Sequence, residues 1–365
     1  CLSYPVFTSF VNSFIWKNNG NLSNLLYYRI GQFGIIWLIF VINGLLLKKV
    51  NIKWLYFFGA LLLGLSLVII TTINRSSVLS YVLAGVILGT GVGFFWANRN
   101  YLVLNSTGRE IRNYFFGLST SINVTLSFIV SVSVGWLLVF GLSYELLMLV
   151  AFFLLSLAGL VVIRLDYKSP VIKKVLTGKT SKSWSVKKYT SFGIGMIEGL
   201  GYFIPSILIL KYLGNEGVLG TLTALASVIS AILLYYFARK SQSKDNKRVF
   251  ILVIVCGFVL SGLMAFFFNS LMIIAFVLLV NFVVGFIWTT YSPVLYNSVE
   301  YESGFDESKK YAYITNSEFY LNLGRIVSAI VCLMILQVFG DEISLRFGPI
   351  ILYSLSTLVF ILVNL

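Results

Sequence analysis

The chain has 365 residues, of which 58% are apolar and only 11% charged, with 27 Lys and Arg against 13 Asp and Glu and no histidine. The apolar residues come in blocks of about 20, the length that crosses ~30 Å of hydrocarbon, so a soluble domain is excluded and an integral, multi-pass membrane protein is expected. Without histidine, Asp and Glu are the proton carriers available near neutral pH. Cys1, Cys256 and Cys332 show neither a disulfide framework nor metal-ligand spacing, so no cofactor and no metal site are expected.

In chain order, spans are expected at 1–16, 25–47, 54–72, 77–104, 113–139 and 142–163, then a basic linker over 164–188, then spans at 189–210, 214–237, 249–268, 270–296, 312–338 and 343–364. The fold class is therefore all-α, with twelve transmembrane helices in two groups of six: an N-terminal unit over 1–163, the linker, and a C-terminal unit over 189–365. The first run reaches only roughly 24 Å at helical rise and the chain starts at Cys1, so its first span is expected to be cut short; if it does not cross, the count is eleven.

Twenty of the 27 basic residues lie in alternate loops on one side (48–53, 105–113, 164–190, 238–248 and 297–311), four lie in the opposite loops and three inside spans. By the positive-inside rule the basic side, central linker included, is cytoplasmic in a cell membrane, and the basic excess marks orientation rather than a nucleic-acid partner. The linker, with eight Lys or Arg against one Asp, reads as a flexible tether beside anionic lipid headgroups. Spans 54–72, 142–163, 249–268 and 343–364 hold almost no charge or amide, apart from Glu145 and Arg346 near their outer ends and Asn364 at the terminus, so every third helix is expected at the periphery, facing lipid.

Two stretches 192 residues apart are nearly the same: Val92-Gly93-Phe94-Phe95-Trp96 leading to Asn105-Ser106, and Val284-Gly285-Phe286-Ile287-Trp288 leading to Asn297-Ser298. They imply parallel halves related by an axis along the membrane normal. Two six-helix halves, a basic central linker and greasy third spans together resemble the major facilitator superfamily over the full length. The family's loop signature after the second span, G-x-x-x-D-[RK]-x-G-[RK]-[RK], is matched only by Gly44, Lys49 and Lys53. Lys48 stands where the signature has Asp, and Asn51 where it has Gly. By this resemblance Gly44, Lys49 and Lys53 form the gating loop, and the first, fourth, seventh and tenth helices line a central cavity. The glycine-rich drug-antiporter signature of the fifth span is absent, since Gly117 and Gly135 are the only glycines of 113–139.

Glu198 sits mid-span in Phe192-Gly-Ile-Gly-Met-Ile-Glu-Gly-Leu-Gly-Tyr-Phe-Ile-Pro205, where a charge costs at least ~2.5–3.5 kcal/mol on insertion scales. Gly195 and Gly199 leave room beside it and Tyr202 is one turn on. The residue is either a proton carrier or substrate ligand, or half of a static ion pair that locks two helices. Thr315, Glu318, Asn322 and Arg325 share one helical face. Glu318 and Arg325 are roughly 10 Å apart along the axis, too far for a direct bridge, so Arg325 needs a partner on another helix, Glu198 or the substrate. Glu318, near the cytoplasmic end, reads first as a group that reaches water.

Asn98 and Arg99 either line a cytoplasmic half-cavity or, for Arg99, snorkel to water; Arg29 with Gln32 has a similar standing near the outer end. Ser119, Asn123, Ser127, Ser131 and Gly135, at steps of four, read as a close helix contact. Glu300, Glu302, Asp306 and Glu307 with Lys309 and Lys310 read as a solvated connector.

The leading expectation is a monomeric secondary transporter, not an enzyme, that moves a small organic solute by alternating access among membrane lipids. Glu198, Arg325, Arg99, Asn98, Tyr202, Asn322 and Glu318 are the candidate binding or coupling residues. Two arginines favour an anionic substrate, since guanidinium binds such groups bidentately, and Glu198 is the candidate proton carrier. The alternatives are an exporter of hydrophobic drugs, a membrane-embedded transferase and a non-transporting sensor.

Overall fold

The structure is a computed structural model that describes residues 9–73, 77–164, 169, 171–240 and 245–363. The secondary structure among these residues is helical. In order the helices are α1 (Val11–Asn19), α2 (Leu22–Leu46), α3 (Ile52–Thr72), α4 (Val78–Ser106), α5 (Arg109–Val139) and α6 (Tyr144–Arg164). After the linker come α7 (Lys182–Gly201), the short α8 (Ile204–Leu208), α9 (Glu216–Lys240), α10 (Asp245–Phe266), α11 (Ser270–Glu302) and α12 (Glu307–Leu362).

Ten of the described helical segments are long and apolar enough to cross a membrane, with Lys182–Leu213 counted as one. The expected first span lies partly outside the described residues, and α1 holds its end. The last two expected spans appear as one run, α12, which is broken at Gly340, whose φ of 84° lies in the region that glycine enters without strain. Helix starts follow short polar caps: Asn21, Asn51, Ser181, Asn269 and Asp306 each accept a backbone N–H of the first turn. At Asp306, which lies between membrane segments, the Ser308 hydroxyl and N–H hold the carboxyl below the usual carboxylate range.

Helix α2 packs along α4, and α3 on α4 and α6; α7 packs along α12. The most extensive contacts between the first six helices and the last six are α5 with α9 and α2 with α12, with smaller ones of α5 with α11, α4 with α12 and α1 with α8. The α5–α9 contact uses the small residues foreseen at steps of four: a Cβ on Gly135 would lie 2.5 Å from the Glu216 carbonyl oxygen, and one on Gly220 2.2 Å from that of Ser131. The polar residues of α5 nearer its start turn inward to their own backbone, Asn123 donating to the Ser119 carbonyl and Thr125 to that of Ser121. Large apolar side chains are exposed on α6 and α10, as expected of peripheral helices, and also along α5 and α9. The polar count of a span is thus a poor guide to lipid exposure when its hydroxyls and amides bond locally.

The linker differs from a free tether. Its residues Ile172 and Val175 are buried, the N–H groups of Lys173 and Lys174 donate to the Ser308 carbonyl (3.2 and 3.5 Å), and Ser169 Oγ accepts from the Ile52 N–H (3.2 Å). Burying these two apolar side chains, Val175 beside Gly44 of α2, offsets the entropy of ordering the segment.

Candidate functional site

The polar groups buried in the centre of the molecule collect where α7 crosses α12. Backbones touch there: a Cβ on Gly195 would stand 2.1 Å from the Leu321 carbonyl oxygen, and one on Gly324 2.1 Å from that of Phe192. The glycines foreseen as room beside the carboxylate instead admit the neighbouring helix. This approach brings Arg325 onto Glu198, with Nη2 at 2.6 Å and Nε at 3.1 Å from the same carboxylate oxygen. The other oxygen accepts the indole N–H of Trp288 at 3.2 Å. Both side chains of the pair are about nine-tenths buried, so their charges compensate each other where water does not.

Arg325 also donates through Nη1 to Asn322 Oδ1 (2.8 Å). The amide nitrogen of Asn322 in turn faces Glu318 Oε2 (3.3 Å), and Glu318 Oε1 accepts from Asn100 Nδ2 of α4 (3.2 Å). Aromatic rings wall the cluster: the Arg325 guanidinium lies 5.8 Å from the Tyr202 ring centre and 5.9 Å from that of Phe33, and these two rings meet edge-on.

Tyr202 marks a break in the seventh span. Pro205 has no N–H to donate into the preceding turn, Phe203 leaves helical geometry at φ −137°, and a π-helical turn over Ile209–Leu213 follows α8. The Tyr202 carbonyl accepts Asn12 Nδ2 at 2.6 Å and Arg29 Nη2 at 3.5 Å. Arg29 is buried; it donates to Gln32 Oε1 (2.6 Å) and to Asn12 Oδ1, and its guanidinium lies 5.5 Å from the Tyr202 ring centre. Arg29 and Arg325 therefore face the same tyrosine ring from α2 and α12.

Toward the end opposite the linker, Glu216 at the start of α9 is 2% exposed and is held by Lys17 (2.5 Å), Tyr144 Oη (2.5 Å) and Ser13 Oγ (3.4 Å). Together with Asn12 and Arg29, these contacts join the first six helices to the last six at that end. At the linker end, beyond the Asn100–Glu318 contact, the seam is closed at two further places. Tyr311 Oη donates to the Phe40 carbonyl (2.7 Å) and accepts from Asn43 Nδ2 (3.0 Å), while Asn43 and Asn98 exchange amide bonds at 3.0 and 3.1 Å. Farther out, the buried Arg112 of α5 bonds Asn297 Oδ1 (2.7 Å), both Glu300 oxygens (2.9 and 3.4 Å) and the carbonyls of Leu104 and Thr107.

The structure thus gathers Glu198, Arg325, Asn322, Glu318 and Tyr202 into one cluster, with Asn100 rather than its neighbours as the contact from α4. Asn98 belongs to the linker-end seam, and Arg99 stacks on Trp96 at 4.6 Å. Of the gating-loop residues, Gly44 sits under Tyr311, where a Cβ would meet the ring at 2.5 Å; Lys49 lies in the turn after α2 and Lys53 in the first turn of α3. Glu300 and Lys310 are not a solvated connector: they lie 3.7 Å apart beside Arg112, and Lys310 is 7% exposed. Sequence reasoning missed Asn12, Asn43 and Arg112, while Asn100 stands out in the sequence only as an amide beside Asn98 and Trp288 only as an interior aromatic of the repeat. The repeat pointed toward one of these neighbourhoods, since its Asn297 is the partner of Arg112.

The family description Major Facilitator Superfamily matches residues 30–329. Among curated relatives, the chain is 25% identical to the uncharacterized protein YqgE of Bacillus subtilis (strain 168), over 96% of this chain and 83% of that protein. A second, from Geobacillus stearothermophilus, is 28% identical over 33% of this chain and 58% of its own length. Similar solved folds include the human organic anion transporter MFSD10 (TM-score 0.66, 12% identity, covering 96% of this chain and 88% of that one). The nucleoside transporter NupG has TM-score 0.65 at 14% identity, covering 100% and 96%. A bacterial homologue of the iron transporter ferroportin has TM-score 0.59 at 13% identity, covering 100% and 94%.

Proposed function

The chain belongs to the Major Facilitator Superfamily, and on that premise we propose that it is a proton-linked secondary transporter of small organic acids, working by alternating access in a cell membrane. The two units, 1–163 and 189–365, rock against each other about the Glu198–Arg325 cluster, with the linker side cytoplasmic by its basic loops. The observation that carries this reading is the compensated pair itself, a guanidinium held by one buried carboxylate between aromatic walls.

A substrate carboxylate or phosphate has the same geometry as Glu198 and competes for the same guanidinium. The carboxylates Glu198 and Glu318 already balance the two buried arginines Arg29 and Arg325, so a further carboxylate leaves a net negative charge, which costs several kcal/mol in a low-dielectric site. Binding of the anion therefore requires Glu198 to take up a proton, and the proton travels with each anion. Arg29, also beside the Tyr202 ring, is placed to hold a second acidic or hydrogen-bonding group of the solute. Trp288 orients the Glu198 carboxylate and, once Glu198 is neutral, releases it. The wall of Phe33, Tyr202 and Trp288 suits a solute with an apolar or planar body.

Similarity of fold to an organic anion transporter agrees with this substrate class, and the arginines, not the similarity, supply the argument. The test is uptake of a panel of labelled mono- and dicarboxylates and organic phosphates into proteoliposomes under an imposed pH gradient. Uptake that is stimulated by the gradient and lost in Arg325→Lys supports the reading, because a lysine keeps the charge without the fork. Uptake confined to hydrophobic cations would point to drug export instead.

A further inference from the structure

We propose that Glu318 is the coupling residue of the linker-end closure: while charged, it ties α4 to α12 through Asn100, and its protonation releases that tie so that the linker end opens. The inference rests on the transport reading above, since it supplies the step by which a proton at the centre reaches the gate.

The geometry assigns each atom a part. Asn322 presents its amide oxygen to Arg325 and its nitrogen to Glu318 (2.8 and 3.3 Å). Glu198 and Glu318 are thereby the two ends of one hydrogen-bonded chain, Glu198–Arg325–Asn322–Glu318. The chain continues through Asn100 Nδ2 (3.2 Å) into the other half of the molecule. Glu318 is half-buried, less enclosed than Glu198, and lies between the centre and the linker end.

Asn322 and Asn100 both donate amide N–H groups to it, and an ionised carboxylate accepts from both. A protonated one has a hydroxyl where one amide N–H now points, and its remaining bond loses the charge assistance that roughly doubles strength. The other ties of this seam respond differently. The Asn43, Asn98 and Tyr311 bonds are between neutral groups, and Glu300 is held by Arg112 with Lys310 beside it. The charged and titratable groups around Glu318 are Arg325 and Tyr311 on α12, Glu198 on α7, Arg99 and Tyr101 on α4, and Tyr296 on α11; the facing turns of α2 carry Trp37, Phe40 and Asn43. Of these, the two carboxylates are the pair joined by the chain.

The experiment uses the full chain with Cys1, Cys256 and Cys332 replaced by alanine and a reporter, Thr315→Cys, placed on the buried α12 face shared with Tyr311 and Glu318. Maleimide labelling is measured in nanodiscs and normalised to the denatured protein at the same pH. At neutral pH, Glu318→Gln is expected to label about threefold faster or more than the parent, and Asn100→Ala likewise, because each removes the charge-assisted bond by a different route. Acidification should speed labelling of the parent and leave Glu318→Gln flat. Parent-like labelling in both variants, or a parent-like pH response in Glu318→Gln, overturns the proposal. Accelerated labelling in a protein that moves no solute supports this latch while overturning the transport reading; proton-driven flux with unchanged labelling removes the latch alone.

Discussion

Glu198 and Arg325 meet at 2.6 Å because the helices that carry them cross with their backbones in contact at Gly195 and Gly324. The charge pair and the glycines are one feature, since no side chain larger than hydrogen fits at the crossing without pushing the guanidinium away from its carboxylate.

Gly195→Ala therefore loses stability by about 1–3 kcal/mol, the usual cost of forcing methylenes into a packed contact, and loses transport with it. Gly34, on α2, is the control: nothing lies within 4 Å of its Cβ position, and Gly34→Ala gains about 0.5–1 kcal/mol from helix propensity. Thermal unfolding of both variants in one detergent decides the matter.

Removing one partner of the central pair strands the other. Arg325→Met is expected to cost about 3–5 kcal/mol, and Arg325→Met with Glu198→Gln to recover most of that loss, because two neutral groups of similar volume carry no uncompensated charge. Equal unfolding midpoints for the single and double variants would show that the pair is not electrostatically coupled.

The two charges were legible in the sequence because an ionised residue far inside an apolar run is costly enough to stand out. Their pairing was not: Arg325 had three open partners, and the choice among them is made by the glycine contact between α7 and α12, which no periodicity encodes. Asn12 and Asn43 were overlooked for a related reason. A single amide near a helix end looks like a residue reaching water, and only the register of helices distant in sequence turns Asn43 toward Asn98 and Tyr311. The class of the molecule, by contrast, follows from hydropathy alone, since the bilayer admits few folds.

Arg112 closes the linker end from within α5, fully buried, with bonds to Asn297, Glu300 and two carbonyls. Arg112→Ala should destabilise by about 3–5 kcal/mol, and Glu300→Gln by about 1–2 kcal/mol, since the amide still accepts from the guanidinium. The order of the two midpoints in thermal unfolding is the check.

At the opposite end, Tyr144→Phe removes a bond to Glu216 but leaves Lys17 in place. A loss of about 1–2 kcal/mol is expected, as for a hydrogen bond to a charged group. Because Lys17 is half-exposed, the Lys17–Glu216 attraction is screened, and raising salt should weaken this closure further in Tyr144→Phe than in the parent. Melting curves at low and high ionic strength compare them.

The central claim is that an organic anion displaces Glu198 from Arg325 as Glu198 takes up a proton, so that the two enter together. Simultaneous recording of labelled-anion uptake and internal pH in proteoliposomes, for the parent chain and Glu198→Gln, tests it most directly. The account predicts one proton entering with each monoanion in the parent, and in Glu198→Gln anion exchange that persists without any proton movement. Proton-coupled uptake undiminished in Glu198→Gln would contradict it.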